Sequence, residues 1–199
     1  MALIVQTAVF DERIRAVILN GSRANPSAKK DFLQDYDIVY VVSETESFIN
    51  DPGWIDRFGE RLILQTPQTM NIPDPSADKY FSYLMLFADG NRIDLTLIPM
   101  EKFGKIPKQD SQSICLLDKV EIIPALPPAS DKDYHIQSPT QKQFSDCCNE
   151  FWWVSTYVAK GLWREETTYA LHMLNVPVRN MLIQMIAWHI GIQIGRAHV

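Results

Sequence analysis

Two apolar runs, residues 14–19 and 38–42, bracket a polar interval that opens on Gly21-Ser22-Arg23 and closes on Asp35-Tyr36-Asp37. Short runs rich in Val, Ile and Leu that end at Gly or polar residues read as strands. Side chains alternate across a strand, so Asp35 and Asp37 point the same way, about 7 Å apart. Ile38, Tyr40 and Val42 then lie on the face opposite Asp37. Two carboxylates this close repel each other unless a cation sits between them. A small-residue turn followed by such a pair can hold a phosphate and a divalent metal together.

A third carboxylate belongs with these two if the sheet allows it. Asp94, in Arg92-Ile93-Asp94-Leu95-Thr96-Leu97, sits in another strand-like run. Asp-Gly between apolar runs is a strong hairpin signal, and Ala88-Asp89-Gly90-Asn91 joins residues 80–88 to 92–98. If the second of these strands lies beside the Asp35/Asp37 strand, Asp94 joins the pair, with Ile93, Leu95 and Leu97 facing the core. Mg²⁺ suits such a site, because it accepts carboxylate and phosphate oxygens and keeps some water. Three carboxylates suffice for two metal ions, an arrangement that clamps an in-line phosphoryl displacement. A lone Asp-x-Asp also marks turns and exposed edges, so the ordered set carries the inference.

The rest of the chain divides by composition. Residues 1–12 read as a short helix and 13–20 as a strand. Residues 22–34 are polar turn with room for a short helix, and 53–60 are helical. Residues 61–66 read as a strand, 67–78 as a proline-containing loop and 119–123 as one more strand. Pro124, Pro127, Pro128 and Pro139 mark 124–140 as a linker. Helical patterns follow at 141–162, 165–174 and 178–190. The expected architecture is a mixed-sheet α/β domain over residues 1–138, then the first part of a helical domain over 139–199.

On the first long helix, Glu150, Trp153, Tyr157 and Lys160 fall within an arc of about 80°. Phe144, Cys148, Phe151, Val158 and Leu162 fall on another side and form the expected core face, with Trp152 on the core side. The first face is either a solvated surface with half-buried aromatics or part of a working cleft.

Charge and cysteine usage narrow the setting. A net charge of −5 argues against nucleic acid as the main ligand and suits a cationic partner. Cys115, Cys147 and Cys148, an odd set with one adjacent pair, do not read as a disulfide framework and point to a reducing cytoplasm. The four histidines have no metal-site spacing. The first residues lack a signal-peptide pattern. No apolar run reaches the roughly 20 residues of a membrane span.

The ordered set of Gly-Ser turn, Asp-x-Asp and later strand Asp resembles the polymerase-β-type nucleotidyltransferases. Longer blocks are similar to the aminoglycoside 6-adenylyltransferases, the streptomycin-modifying resistance enzymes. They are Asn20-Gly21-Ser22-Arg23-Ala24-Asn25, Gln34-Asp35-Tyr36-Asp37-Ile38, Phe81-Ser82-Tyr83-Leu84-Met85-Leu86-Phe87, Ile93-Asp94-Leu95-Thr96-Leu97, Asp133-Tyr134-His135, Asp146-Cys147-Cys148-Asn149-Glu150-Phe151-Trp152 and Lys160-Gly161-Leu162. The resemblance implies AMP transfer from ATP to a hydroxyl of a cationic aminoglycoside, with two Mg²⁺ ions held by Asp35, Asp37 and Asp94. It implies that Gly21, Ser22 and Arg23 contact the nucleotide phosphates, that Lys160 faces the triphosphate, and that Glu150 takes the acceptor proton, with Asp94 the competing base. The resemblance fades after residue 193, and family members continue further. A truncated helical domain is therefore expected, with the final residues foreign to the family. Two other functions stay open on sequence: transfer to a different small molecule or protein, and a non-catalytic nucleotide-binding module.

Overall fold

The computed structural model describes residues 1–72, 80–105 and 110–194. The chain forms two compact units, Met1–Asp131 and Lys132–Val199, with the boundary in sequence inside the proline-containing stretch 124–140.

The first unit is built on six strands: β1 Ile14–Asn20, β2 Tyr36–Val42, β3 Arg61–Gln65, β4 Phe81–Phe87, β5 Arg92–Pro99 and β6 Ser113–Asp118. Their spatial order is β3-β4-β5-β2-β1-β6. The β2–β5 pair is parallel and every other pair antiparallel, so the sheet is mixed, as the alternating patterns require. Asp89 closes the β4–β5 hairpin by accepting from the Asn91 backbone N–H, and Gly90 takes a positive φ of 84°. Helix α1, Ala2–Phe10, and a 3-10 turn, Pro52–Phe58, cover one face together with the short helix α2, Glu46–Ile49.

Alternation sorts the strand residues into two cores. The larger takes Ile38, Tyr40 and Val42 of β2 with Ile93, Leu95 and Leu97 of β5, against Phe48, Trp54 and Ile55. Two hydroxyls lock it: Tyr40 donates to the Ile4 carbonyl and Tyr83 to the Phe48 carbonyl, while the Trp54 indole donates to Tyr83. The smaller core lies on the opposite face, with Ala16, Ile18, Val41, Ile98 and Phe103. Phe103 belongs to the short helix α3, Met100–Phe103.

The last strand is not where the hydrophobic pattern places it. Residues 119–123 are outside the sheet, and β6 ends at Asp118. The Asp118 carboxylate accepts from the backbone N–H groups of Val120, Ile122 and Ile123, and Glu121 adopts a left-handed φ of 55°. The carboxylate turns the chain away just where the apolar residues continue. Residues 22–34 form turns without a helix. The expected loop at 67–78 starts with a 3-10 turn, Pro67–Thr69, and its residues 73–78 lie outside those described.

The second unit holds α4 Gln141–Trp163, α5 Thr167–Met173 and α6 Arg179–Ile194, the last two joined by a π turn, Leu174–Val178, that contains Pro177. Helix α4 starts in a capping box: Thr140 accepts from the Gln143 N–H, and the Gln143 side chain accepts from the Thr140 N–H. Thr140→Ala is expected to destabilise this unit by about 1 kcal/mol, read by urea denaturation.

The buried stripe of α4 differs from the expected one. It runs Cys147, Val154 and Gly161, with Phe151 and Val158 half-buried beside it. The intervals of three and four residues mark a helix-packing seam. Gly161 sits so close to α5 that an added Cβ would lie 3.0 Å from the Ala170 Cβ. Of the expected core face, Phe144 and Leu162 are exposed, and Trp152, expected inward, is 70% exposed. Large apolar residues overstate burial when the close approach of two helices needs a small one.

Candidate active site

The parallel register pairs Asp37 of β2 directly with Asp94 of β5. Asp35 lies just before β2 and shares their face. One oxygen from each of Asp35, Asp37 and Asp94 lies within 4.8 Å of the others. The β2–β5 pairing that the sequence made conditional is thus present, and it assembles the three acids at one end of the smaller-core face.

The Gly-Ser turn meets the same place. β1 pairs antiparallel with β2, bringing Asn20 opposite Asp37 and leaving Gly21 just beyond it. Gly21 has a φ of +73°, and a Cβ built there would lie 2.2 Å from Asp37 Oδ2. Glycine is therefore required twice, by backbone conformation and by the carboxylate packed against it. Ser22 Oγ accepts from Gln34 Nε2 at 3.1 Å. Arg23 ties the turn to the acid strand: its Nε and Nη2 donate to the Gln34 carbonyl, its Nε also to the Asp35 carbonyl at 2.8 Å, and its guanidinium stacks on Tyr36. Much of the donor capacity expected for phosphate is thus engaged with the backbone.

The electrostatics are those of crowded like charges. Burial, then Asp35 and Asp94, push the Asp37 carboxyl up to about 6, while Arg92 pulls it down. Arg92 grips Asp94 with both ends of its fork, Nε donating to Oδ1 at 2.7 Å and Nη2 to Oδ2. Its Nε is also 3.9 Å from Asp35 Oδ2. Arg92 and Gln34 were not singled out from sequence. The signal for Arg92 was its place two residues before Asp94, on the same strand face. The donor set is all carboxylate, with no thiolate or imidazole, which fits a hard divalent cation such as Mg²⁺.

Glu150 and Lys160 lie on α4 in the second unit. Glu150 lines an open cavity of about 560 Å³ within that unit, with His135, Gln143, Asp146, Met181 and Trp188 among its walls. The rest of its helix face is a linked ladder. Trp153 donates to the Tyr157 hydroxyl at 2.8 Å, and Lys160 Nζ lies 5.3 Å from the Tyr157 ring centre.

The streptomycin adenylyltransferase family profile matches residues 1–198. The chain belongs to this family. Relatives named aminoglycoside 6-adenylyltransferase are 48% identical in Campylobacter jejuni over 97% of this chain and 67% of the relative, and 45% identical in Bacillus subtilis over 98% and 69%. One from Staphylococcus aureus is 39% identical over 97% and 69%. A crystal structure of an aminoglycoside 6-adenyltransferase from Bacillus subtilis aligns with a TM-score of 0.50 and 42% identity, covering 96% of this chain and 66% of that one. The chain thus spans about two thirds of the length of these relatives. The family is one of nucleotidyltransferase enzymes. No described helix is long and apolar enough to cross a membrane.

Proposed function

We propose that this chain transfers AMP from Mg·ATP to a hydroxyl of an aminoglycoside, streptomycin first, releasing pyrophosphate. The observation that carries the reading is the convergence of Asp35, Asp37 and Asp94 beside the Gly21-Ser22 turn. Two Mg²⁺ ions held by these carboxylates would neutralise charge at the reacting phosphate. The acceptor oxygen bonds to the α-phosphorus, the bond from that phosphorus to the pyrophosphate oxygen breaks, and the acceptor proton passes to a carboxylate. Ser22 accepts from Gln34, which leaves its O–H to donate to a phosphate oxygen. Gly21 and Arg23 hold the turn in place, and Lys160 is assigned to the triphosphate. Positioning and charge neutralisation carry the rate, with no covalent intermediate.

Glu150 is the proposed base. Both oxygens of its competitor Asp94 accept from Arg92, whereas Glu150 faces an open cavity beside Asp146 and Trp188, groups suited to a cationic acceptor. The excess of acidic residues also favours a cationic acceptor over nucleic acid. The three free cysteines fit a cytoplasmic setting.

The deciding assay incubates the chain with Mg·ATP and streptomycin and looks by mass spectrometry for the AMP ester. No ester from streptomycin or from a panel of aminoglycosides, with ATP still bound, rejects the transferase reading. Glu150→Gln should lower turnover by about 10²–10⁴-fold, the usual worth of a general base, with ATP affinity unchanged by equilibrium dialysis. A variant with full turnover returns the role to Asp94.

A further inference from the structure

We propose that Arg92 is the resident counter-ion of the carboxylate triad and has to leave it before a divalent cation binds, so that this one side chain sets the metal affinity of the site. The inference rests on the reading of Asp35, Asp37 and Asp94 as metal ligands.

Arg92 and Asp94 are two apart on β5, on the face that carries Asp37. Extending the register by one residue sets Arg92 beside Asp35. The acids on β2 thus meet an Arg-x-Asp on β5, one cation among three anions. The contact with Asp94 is two-pronged, the strong form of an arginine–carboxylate pair. It occupies both oxygens of the ligand that completes the triad. Further lone pairs remain on those oxygens, but a second cation placed on them would face a guanidinium at close range.

The two partners differ in freedom. The Arg92 side chain is 50% exposed and that of Asp94 is 19% exposed. Asp94 is therefore fixed by the sheet, while Arg92 can swing into solvent. A purely structural ion pair would have the opposite consequence for metal: its removal would loosen Asp94 and weaken binding.

Calorimetric titration with Mn²⁺ alone separates these cases. Arg92→Gln should bind Mn²⁺ about tenfold more tightly than the unmodified chain, as expected for one like charge removed at short range. Arg92→Lys, which keeps the charge without the fork, should fall between them. Equal or weaker binding by Arg92→Gln overturns the inference while leaving the metal site standing. Absence of Mn²⁺ binding in every variant overturns both. If Arg92→Gln does not fold, ¹⁵N NMR of the arginine side chains in the unmodified protein decides. The Arg92 Nε–H signal should move on addition of Mg²⁺ and stay put in Asp37→Asn. A signal that Mg²⁺ leaves unmoved in the unmodified protein overturns the inference.

Discussion

Asp37→Asn should abolish AMP transfer and, at neutral pH, make the metal-free chain more stable. The loss follows from removing a carboxylate shared by metal and phosphate, worth several kcal/mol of transition-state stabilisation, or about 10³-fold or more in turnover. The gain follows from the crowding that makes the site useful. The folded carboxyl is pushed from 3.8 to about 6, so at pH 7 folding holds a charge in unfavourable surroundings. As pH falls through about 6 toward 3.8, the folded chain carries a proton that the unfolded chain does not, and stability rises. That contribution is complete below 3.8 and is lost as pH climbs through about 6. The group is partly open to water, so the discounted effect is on the order of 1 kcal/mol. Asparagine should remove this part of the pH dependence. Urea melts of both chains at pH 5 and pH 8, with chelator present, check it; equal stabilities of the two chains at pH 8 would contradict it. For the same reason, protons should compete with Mn²⁺ below pH 6 in the unmodified chain.

Gly21→Ala should be nearly as damaging by another route. Alanine in a left-handed conformation costs about 1–2 kcal/mol, and its methyl would lie 2.2 Å from Asp37 Oδ2. One of the two must move. Displacing a catalytic group by an ångström costs about 10²-fold in rate, so kcat/KM should drop at least that far. Gly90→Ala is the control: φ is +84°, and nothing lies within 4 Å of the added methyl. It should show the backbone strain alone, with a lower Tm and unchanged kcat/KM. Equal kinetics for Gly21→Ala and the parent chain would refute the close packing of turn and carboxylate.

These two residues were also the most legible in the sequence, and for a physical reason. β4 alternates along its length, and β2 and β5 alternate at the ends that carry the acids, where only the larger core is buried, and Asp89-Gly90 is turn chemistry that strands cannot use. That pattern put Asp94 on the outward face of its strand and left its place beside Asp37 conditional on the β2–β5 pairing, which the register supplies. The seam of α4 was misjudged because a periodicity of large residues cannot show that Gly161 is the buried one. β6 was displaced because the side chain of Asp118 redirects the backbone, an effect invisible to hydropathy. Arg92 escaped notice although it stands two residues from Asp94 on the same face of β5; that it also lies beside Asp35 shows only in the β2–β5 register.

The pairing of Asp37 with Asp94 has a further consequence for how the chain folds. If β5 slid by one position along β2, Asp94 and Thr96 would turn into the larger core, and Ile93, Leu95 and Leu97 would face outward. A slide of two would keep the faces but set the acids past one another. The first error is penalised by turning a carboxylate and the arginine paired with it into an apolar core, and the second separates the carboxylates that a divalent ion would bridge. The residues that serve the chemistry thus also proofread strand alignment, and a divalent ion that binds them would reward only the correct one.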